Sequence, residues 1–152
     1  MKAIIQRVNS ASVTVGAQTI GTIQKGLLVL LGITQTDTED EAKWMVEKIV
    51  NLRLFPQGEQ EFDLSVLDAK LEILIVSQFT LYGSCDKGRR PDFANASRPD
   101  HSKPLYEKTV ELLRATNLNI QTGEFGAHMM VSLVNDGPAT FTLERNHPTS
   151  NA

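Results

Sequence analysis

The sequence predicts one mixed α/β domain. Its 152 residues match the usual size of a single folding unit. Two runs, Leu27 to Ile33 and Leu71 to Val76, are continuously apolar rather than alternating, as in strands covered on both faces. Each run is followed by a stretch with helical period. The expected order is a strand pair, two strand-helix units and terminal strands.

Ala3 to Val15 reads as one long or bent strand. Gly16-Ala17-Gln18 makes a turn and Thr19 to Gln24 returns as a hairpin partner. After Leu27 to Ile33, Thr38 opens a helix, with Glu41 at capping-box spacing. Ala42, Met45, Val46, Ile49 and Leu52 form its apolar stripe. Pro56-Gln57-Gly58 closes that unit. Leu71 to Val76 is the next buried strand, followed by a long polar loop from Tyr82 to about Pro99. A second helix spans about Asp100 to Ala115, with Leu105, Thr109, Leu112 and Leu113 inward and Pro104 expected in its first turn. Ile120 to Thr122, Met129 to Val134 and Ala139 to Leu143 complete the strands. Residues 1–145 are assigned to the domain and 146–152 to a polar, disordered tail.

Apolar residues are 41% and charged residues 22%, which fits a soluble chain with a real core. The longest apolar run is too short to span a bilayer, and the opening Met1 to Arg7 alternates like a strand instead of resembling a signal peptide. The single cysteine, Cys85, excludes an intrachain disulfide and fits a reducing, cytoplasmic setting. A net charge of −3 argues against broad coating of nucleic acid. Charge is uneven, however: from Ser84 to Lys103, Lys87, Arg89, Arg90, Arg98 and Lys103 outnumber Asp86, Asp92 and Asp100. A local phosphate contact and a plain solvated loop both fit that cluster.

His101, His128 and His147 are far apart without metal-ligand spacing, and His128 reads as structural at a strand start. No phosphate-binding or dinucleotide glycine pattern occurs. Neither metal nor cofactor is expected. Glu39-Asp40-Glu41 sits where a helix start favours negative charge. What stands out is Ser77-Gln78-Phe79-Thr80-Leu81 and Asn135-Asp136-Gly137-Pro138-Ala139-Thr140, each directly after an apolar run. Strand ends hold chemistry on a rigid support. Ser77 and Thr80 offer hydroxyls, Gln78 a donor and an acceptor, and strand-exit N–H groups can form an oxyanion hole. A threonine without a nearby base is a poor nucleophile. Such a site suits a reactive ester whose own groups assist hydrolysis, although a polar strand end alone would look the same.

Taken together, the two motifs resemble those of the D-aminoacyl-tRNA deacylase (DTD) family. The resemblance extends through Ile5-Gln6-Arg7-Val8, Ala11 to Val15, Gly26 to Gly32, Val76 to Leu81, Arg90-Pro91, Pro99-Asp100, Leu105-Tyr106, Gln121-Thr122-Gly123 and Val131 to Pro138. It covers nearly the whole chain in order. Ala139 departs from the valine common in the family, a change expected to touch packing more than chemistry.

The resemblance implies a DTD-like fold and a cytosolic homodimer with active sites at the subunit interface. It implies hydrolysis of the ester joining a D-amino acid, or mischarged glycine, to tRNA. Gly137 and Pro138 match a Gly-cis-Pro motif that enters the partner's pocket and leaves no room for an L side chain; Arg7 matches the arginine supporting it. Ser77, Gln78, Phe79 and Thr80 match the pocket for the terminal adenosine and aminoacyl ester, where the tRNA 2′-hydroxyl assists. Lys87, Arg89 and Arg90 are candidate tRNA contacts. Two rival readings are a non-catalytic tRNA- or RNA-binding module using the basic loop, and a small-molecule esterase. The missing nucleophile-base pair counts against the latter.

Overall fold

The structure, a computed structural model, describes residues 1–148. Strand β1 (Lys2–Val15) is its axis. One edge of β1 is shared by β2 (Gln18–Ile23), which pairs with Ala11 to Val15, and β3 (Gly26–Gly32), which pairs with Lys2 to Val8. Both pairings are antiparallel. Strand β3 then pairs in parallel with β6 (Glu72–Ser77), and β6 in parallel with β7 (Ile120–Thr122). Strand β8 (Met130–Glu144) runs antiparallel along the other edge of β1. The sheet curls into a barrel-like form: a Cβ placed on Gly21 of β2 would lie 2.5 Å from the Thr122 carbonyl oxygen of β7.

The continuous apolar runs work as expected. Leu27, Val29 and Leu31, with Ile73 and Ile75, face a core shared with the helices, whereas Leu28, Leu74 and Val76 face a second cluster with Val8, Val13 and Ile23. Alternate side chains of β3 and β6 therefore meet different cores, as strand geometry requires. Helix α1 (Glu39–Asn51) buries Ala42, Met45, Val46 and Ile49. Its capping box is complete: Thr38 Oγ1 accepts from Asp40 N–H at 3.2 Å, and Thr38 N–H donates to Glu41 Oε2 at 2.7 Å. Helix α2 (Pro99–Arg114) buries Leu105, Tyr106, Thr109, Val110 and Leu113. Among the described residues, no helix is long and apolar enough to cross a membrane.

Four expectations need correction. A hairpin of β4 (Arg53–Gln57) and β5 (Gln60–Ser65) follows α1 where only a stop was read; Gly58, at φ +59°, makes its turn. Pro104 lies beyond the first turn of α2, because Pro99 already occupies the helix start. The terminal strands are one strand, β8, that passes through Gly137-Pro138 and pairs with β1 alone among the described residues, and side chains of its first half are not covered: Met130 is 61% and Val134 54% exposed. The tail is fastened further than expected. Arg145 N–H donates to the Met1 carbonyl at 3.0 Å and His147 Nδ1 lies 3.3 Å from Glu41 Oε1. The remainder of that expected tail, 149–152, lies outside the described residues.

Candidate active site

Strand β6 ends at Ser77, and the Gln78 N–H still donates to the Leu31 carbonyl at 2.8 Å, so the chain leaves the sheet on a fixed line. Phe79 to Tyr82 then tighten into one 3-10 turn. Gly32 permits this turn to lie against β3: a Cβ there would come within 3.0 Å of Leu81 Cβ and 3.1 Å of the Gln78 carbonyl oxygen. The first N–H groups of such a turn have no partner within it, which leaves them free to meet an oxygen of a ligand.

Ser77, Gln78 and Phe79 line one wall of a cavity of about 500 Å³. Leu31, Ile33, Val76 and Val131 make its apolar floor, and Phe125 to Met129, turning at Gly126 with φ +79°, make the facing wall. Thr80 stands outside this lining, exposed, with its Oγ1 accepting from the Gln78 amide. No basic side chain is bonded to that hydroxyl among the described residues. Phe79 is 58% exposed and rests edge-on against Phe93, with centroids 5.2 Å apart. His128 corrects its sequence reading: it precedes β8 and is an exposed member of the cavity lining.

Gly137 and Pro138 do not line this cavity within one chain. Their peptide bond is cis. Val8 pairs with Asn135 and Gln6 with Thr140, so β8 carries the four residues Asp136 to Ala139 opposite the single residue Arg7. Arg7 is 2% exposed and fills the gap. Its Nε donates to the Asp136 carbonyl at 3.1 Å and lies 3.2 Å from Asp136 Oδ2. Its Nη1 donates to the Leu54 carbonyl at 2.8 Å, and its Nη2 pairs with Glu61. Asn135 Nδ2 donates to the Arg7 carbonyl at 2.9 Å. Ala139, at 1% exposure, packs beneath the loop. The β4–β5 hairpin missed by sequence reading thus supplies two of the groups that hold Arg7.

Lys87, Arg89 and Arg90 are all exposed, and none makes an ion pair among the described residues. Paired backbone bonds between Ser84 and Asp92, at 2.8 and 2.9 Å, pin the base of the loop that carries them.

One cavity feature was not foreseen. Ser97, 8% exposed, lies on the wall beside Pro99 and Ser102, and its Oγ is 2.6 Å from His101 Nδ1. The spacing of four residues across a helix start was the available signal. The fold of the loop onto β3, through Ser97 N–H to the Ile33 carbonyl at 3.0 Å, was not.

The chain and its fold have close counterparts. Residues 4–144 match the family model described as D-Tyr-tRNA(Tyr) deacylase. The D-aminoacyl-tRNA deacylase of Thermosipho africanus is 53% identical over 144 residues, covering 95% of this chain and 97% of that protein. That of Thermus aquaticus is 49% identical over 99% of both chains. Among solved structures, a c-Myc DNA Unwinding Element Binding Protein superposes with a TM-score of 0.90 at 46% identity, covering 97% of this chain and all of that one. Identity near one half over almost the full length of each relative, together with the family model matched over residues 4–144, means that the chain belongs to the D-aminoacyl-tRNA deacylase family of hydrolases.

Proposed function

We propose that this protein edits mischarged tRNA in the cytoplasm, hydrolysing the ester of D-aminoacyl-tRNA and of glycine placed on tRNA, and rejecting L-aminoacyl-tRNA. The carrying observation is the strand exit at Ser77 to Phe79, which opens onto a largely apolar cavity while the nearby Thr80 hydroxyl is bonded to an amide and not to a base. Such a wall can orient an ester and receive its oxyanion on backbone N–H groups. It supplies no activated threonine, so the terminal ribose 2′-hydroxyl of the substrate is the assisting group. The ester carbonyl is attacked by water, the bond to the ribose oxygen breaks, and the departing ribose hydroxyl takes the proton.

Chiral rejection is assigned to Gly137-Pro138 of a second copy. Supporting this, the loop is held rigidly by Arg7 and Asn135 yet lies away from the cavity of its own chain. The exposed apolar side chains Met130, Leu133 and Val134 on the same strand favour a homodimer that covers them. Backbone groups projecting into the pocket would exclude an L side chain by steric contact, a stronger filter than one methylene in an apolar pocket. Glycine has no side chain to exclude.

The test is hydrolysis of D-tyrosyl-, L-tyrosyl- and glycyl-tRNA by the purified protein. The first and third should be consumed and the second spared. A D-aminoacyl-tRNA ending in 2′-deoxyadenosine should resist, while Thr80→Ala should remain active. Loss of activity in Thr80→Ala with full turnover of the deoxy substrate would instead make Thr80 the nucleophile.

A further inference from the structure

We propose that Phe93 is a stacking platform, outside the cavity, for the base of the tRNA's penultimate nucleotide, a cytidine. This rests on the cavity being the site for the acceptor end of tRNA. The Phe93 side chain is 40% exposed and meets Phe79, itself 58% exposed, with ring centroids 5.2 Å apart and planes at 67°. Such an edge-to-face contact leaves ring faces that the other ring does not cover. Phe79 lines the cavity and Phe93 does not, so the pair carries an aromatic surface from the mouth outward. The backbone under this exposed ring is fixed on both sides. Ser84 and Asp92 exchange backbone hydrogen bonds of 2.8 and 2.9 Å just before it, and Ala96 N–H donates to the Phe93 carbonyl at 3.0 Å just after it. Thr34 Oγ1 donates to the Asn95 carbonyl at 2.6 Å. The ring lies against bare backbone at the end of the active-site turn: a Cβ on Gly83 would come 2.9 Å from Phe93 Cε1. A surface held this way loses little freedom when a ligand stacks on it.

Charge selects the occupant. Asp92 closes the base of the loop that carries Lys87, Arg89 and Arg90, and it directly precedes Phe93. Its carboxylate accepts from Ala94 N–H at 2.9 Å, and that of Asp86 accepts from the Ser84 hydroxyl at 3.1 Å. The acids of this loop are thus engaged within it or beside it, while its cations have no acidic partner among the described residues. Exposed aromatic rings next to unpaired cations suit a unit that joins a flat base to a phosphate, the makeup of single-stranded nucleic acid. A strand whose terminal nucleoside occupies the cavity leaves through the mouth, and its next base is the first to meet the aromatic pair. Every tRNA ends in an unpaired cytidine, cytidine and adenosine, so that base is the same in all substrates. A stacking contact reads no hydrogen-bond pattern and serves them all alike.

The probes are two hydrolysis-resistant, amide-linked 3′-(D-tyrosyl)amino adenosines extended on the 5′ side. One carries a cytidine joined through a phosphate; the other carries an abasic ribose joined through the same phosphate. Their Kd values are measured by calorimetry for wild type, Phe93→Ala, Phe93→Leu and Phe93→Trp. The cytosine should tighten wild-type binding on the order of tenfold over the abasic probe. Phe93→Ala and Phe93→Leu should lose nearly all of that gain, and Phe93→Trp should keep it. The leucine variant retains apolar bulk without an aromatic face, so it carries the same prediction should the alanine variant fail to fold. An equal cytosine gain in wild type and Phe93→Leu would overturn the inference, as would a wild type that shows no gain or binds neither probe. A change of oligomeric state in Phe93→Leu, read by sedimentation, would make the aromatic pair a contact between two copies and overturn it too. A wild type that shows the Phe93-dependent gain yet leaves D-tyrosyl-tRNA intact would sink the deacylase reading and not this one. A wild type that hydrolyses D-tyrosyl-tRNA without any cytosine gain would sink only this one.

Discussion

Arg7 donates from Nε to the Asp136 carbonyl at 3.1 Å and lies alone opposite the four residues that β8 loops out between its pairings with β1. The guanidinium reaches in three directions at once, to Asp136, Leu54 and Glu61. That suits the rigid fork of arginine and not the single ammonium of lysine. Arg7→Met removes the donor from two buried or half-buried carbonyls and should cost about 3 kcal/mol in urea unfolding. Arg7→Lys should recover less than half of that. Both should erode the preference for D- over L-aminoacyl-tRNA more than they slow turnover. A variant with wild-type chirality ratio would separate Arg7 from the loop's function.

Gly137→Ala makes a sharper test, because the clash has a named partner. The added Cβ would lie 2.6 Å from Asn135 Oδ1, and the amide of Asn135 is what bonds the Arg7 carbonyl. The alanine should displace Asn135 and change the D-to-L ratio. Asn135→Ala in the same chain removes the obstacle, so the double variant should lose less stability than the two single losses added together. Strict additivity would mean that the loop yields elsewhere.

The parts of this fold that were readable are those whose signal is local. The Thr38–Glu41 capping box and the two-sided apolar runs of β3 and β6 depend on neighbours in sequence, and both formed as expected. The β4–β5 hairpin was hidden because Pro56 reads as a breaker, although the alternation Glu61-Phe62-Asp63-Leu64-Ser65 was an available strand signal. Strand β8 was split at Gly137-Pro138 because that dipeptide reads as a turn. Its continuity depends on Arg7 and Asn135, which meet the loop from a distant strand and from its own base. The cavity was half legible. Ser77 to Phe79 announced themselves at a strand end, whereas Ser97 and His128 reach the wall only through long-range folding of loops.

Lys87, Arg89 and Arg90 stand free on a pinned loop, so replacing all three with Gln should leave stability within about 0.5 kcal/mol of wild type. If they meet tRNA phosphates, the slope of log K against log salt should flatten by about two units, with kcat unchanged at saturation. An unaltered slope would make the loop a solvated surface.

Tyr82 carries the opposite kind of signal. Its hydroxyl is buried and has no hydrogen-bond partner among the described residues, and burial pushes the phenol's pKa well up. Tyr82→Phe removes that oxygen while keeping the ring under Lys2, whose Nζ sits 4.8 Å from its centroid. The variant should be more stable by about 1 kcal/mol in denaturant unfolding. A loss of similar size would reveal a partner for the hydroxyl in solution.

Glu41 ties the start of α1 to the end of the chain. Its carboxylate is fully buried and accepts from the Thr38 N–H and hydroxyl, each at 2.7 Å, with His147 Nδ1 at 3.3 Å and Arg145 Nε at 3.9 Å. Burial pushes its pKa up, but the hydrogen bonds from the Thr38 side chain and backbone, and then from His147, outweigh it and hold the group below its ordinary 4.5. A carboxylate with a depressed folded-state pKa contributes stability above its unfolded value and loses it as pH falls through the folded one. Glu41→Gln should therefore cost about 2 kcal/mol at neutral pH. That gap should stay level down to about pH 4.5 and close below it, as the wild-type carboxyl takes up its proton. His147→Ala should move the closing point upward by removing one of the groups that favour the charged form. A gap that persists unchanged into strong acid, or that opens only on the alkaline side, would show that Glu41 acts through shape and not through charge.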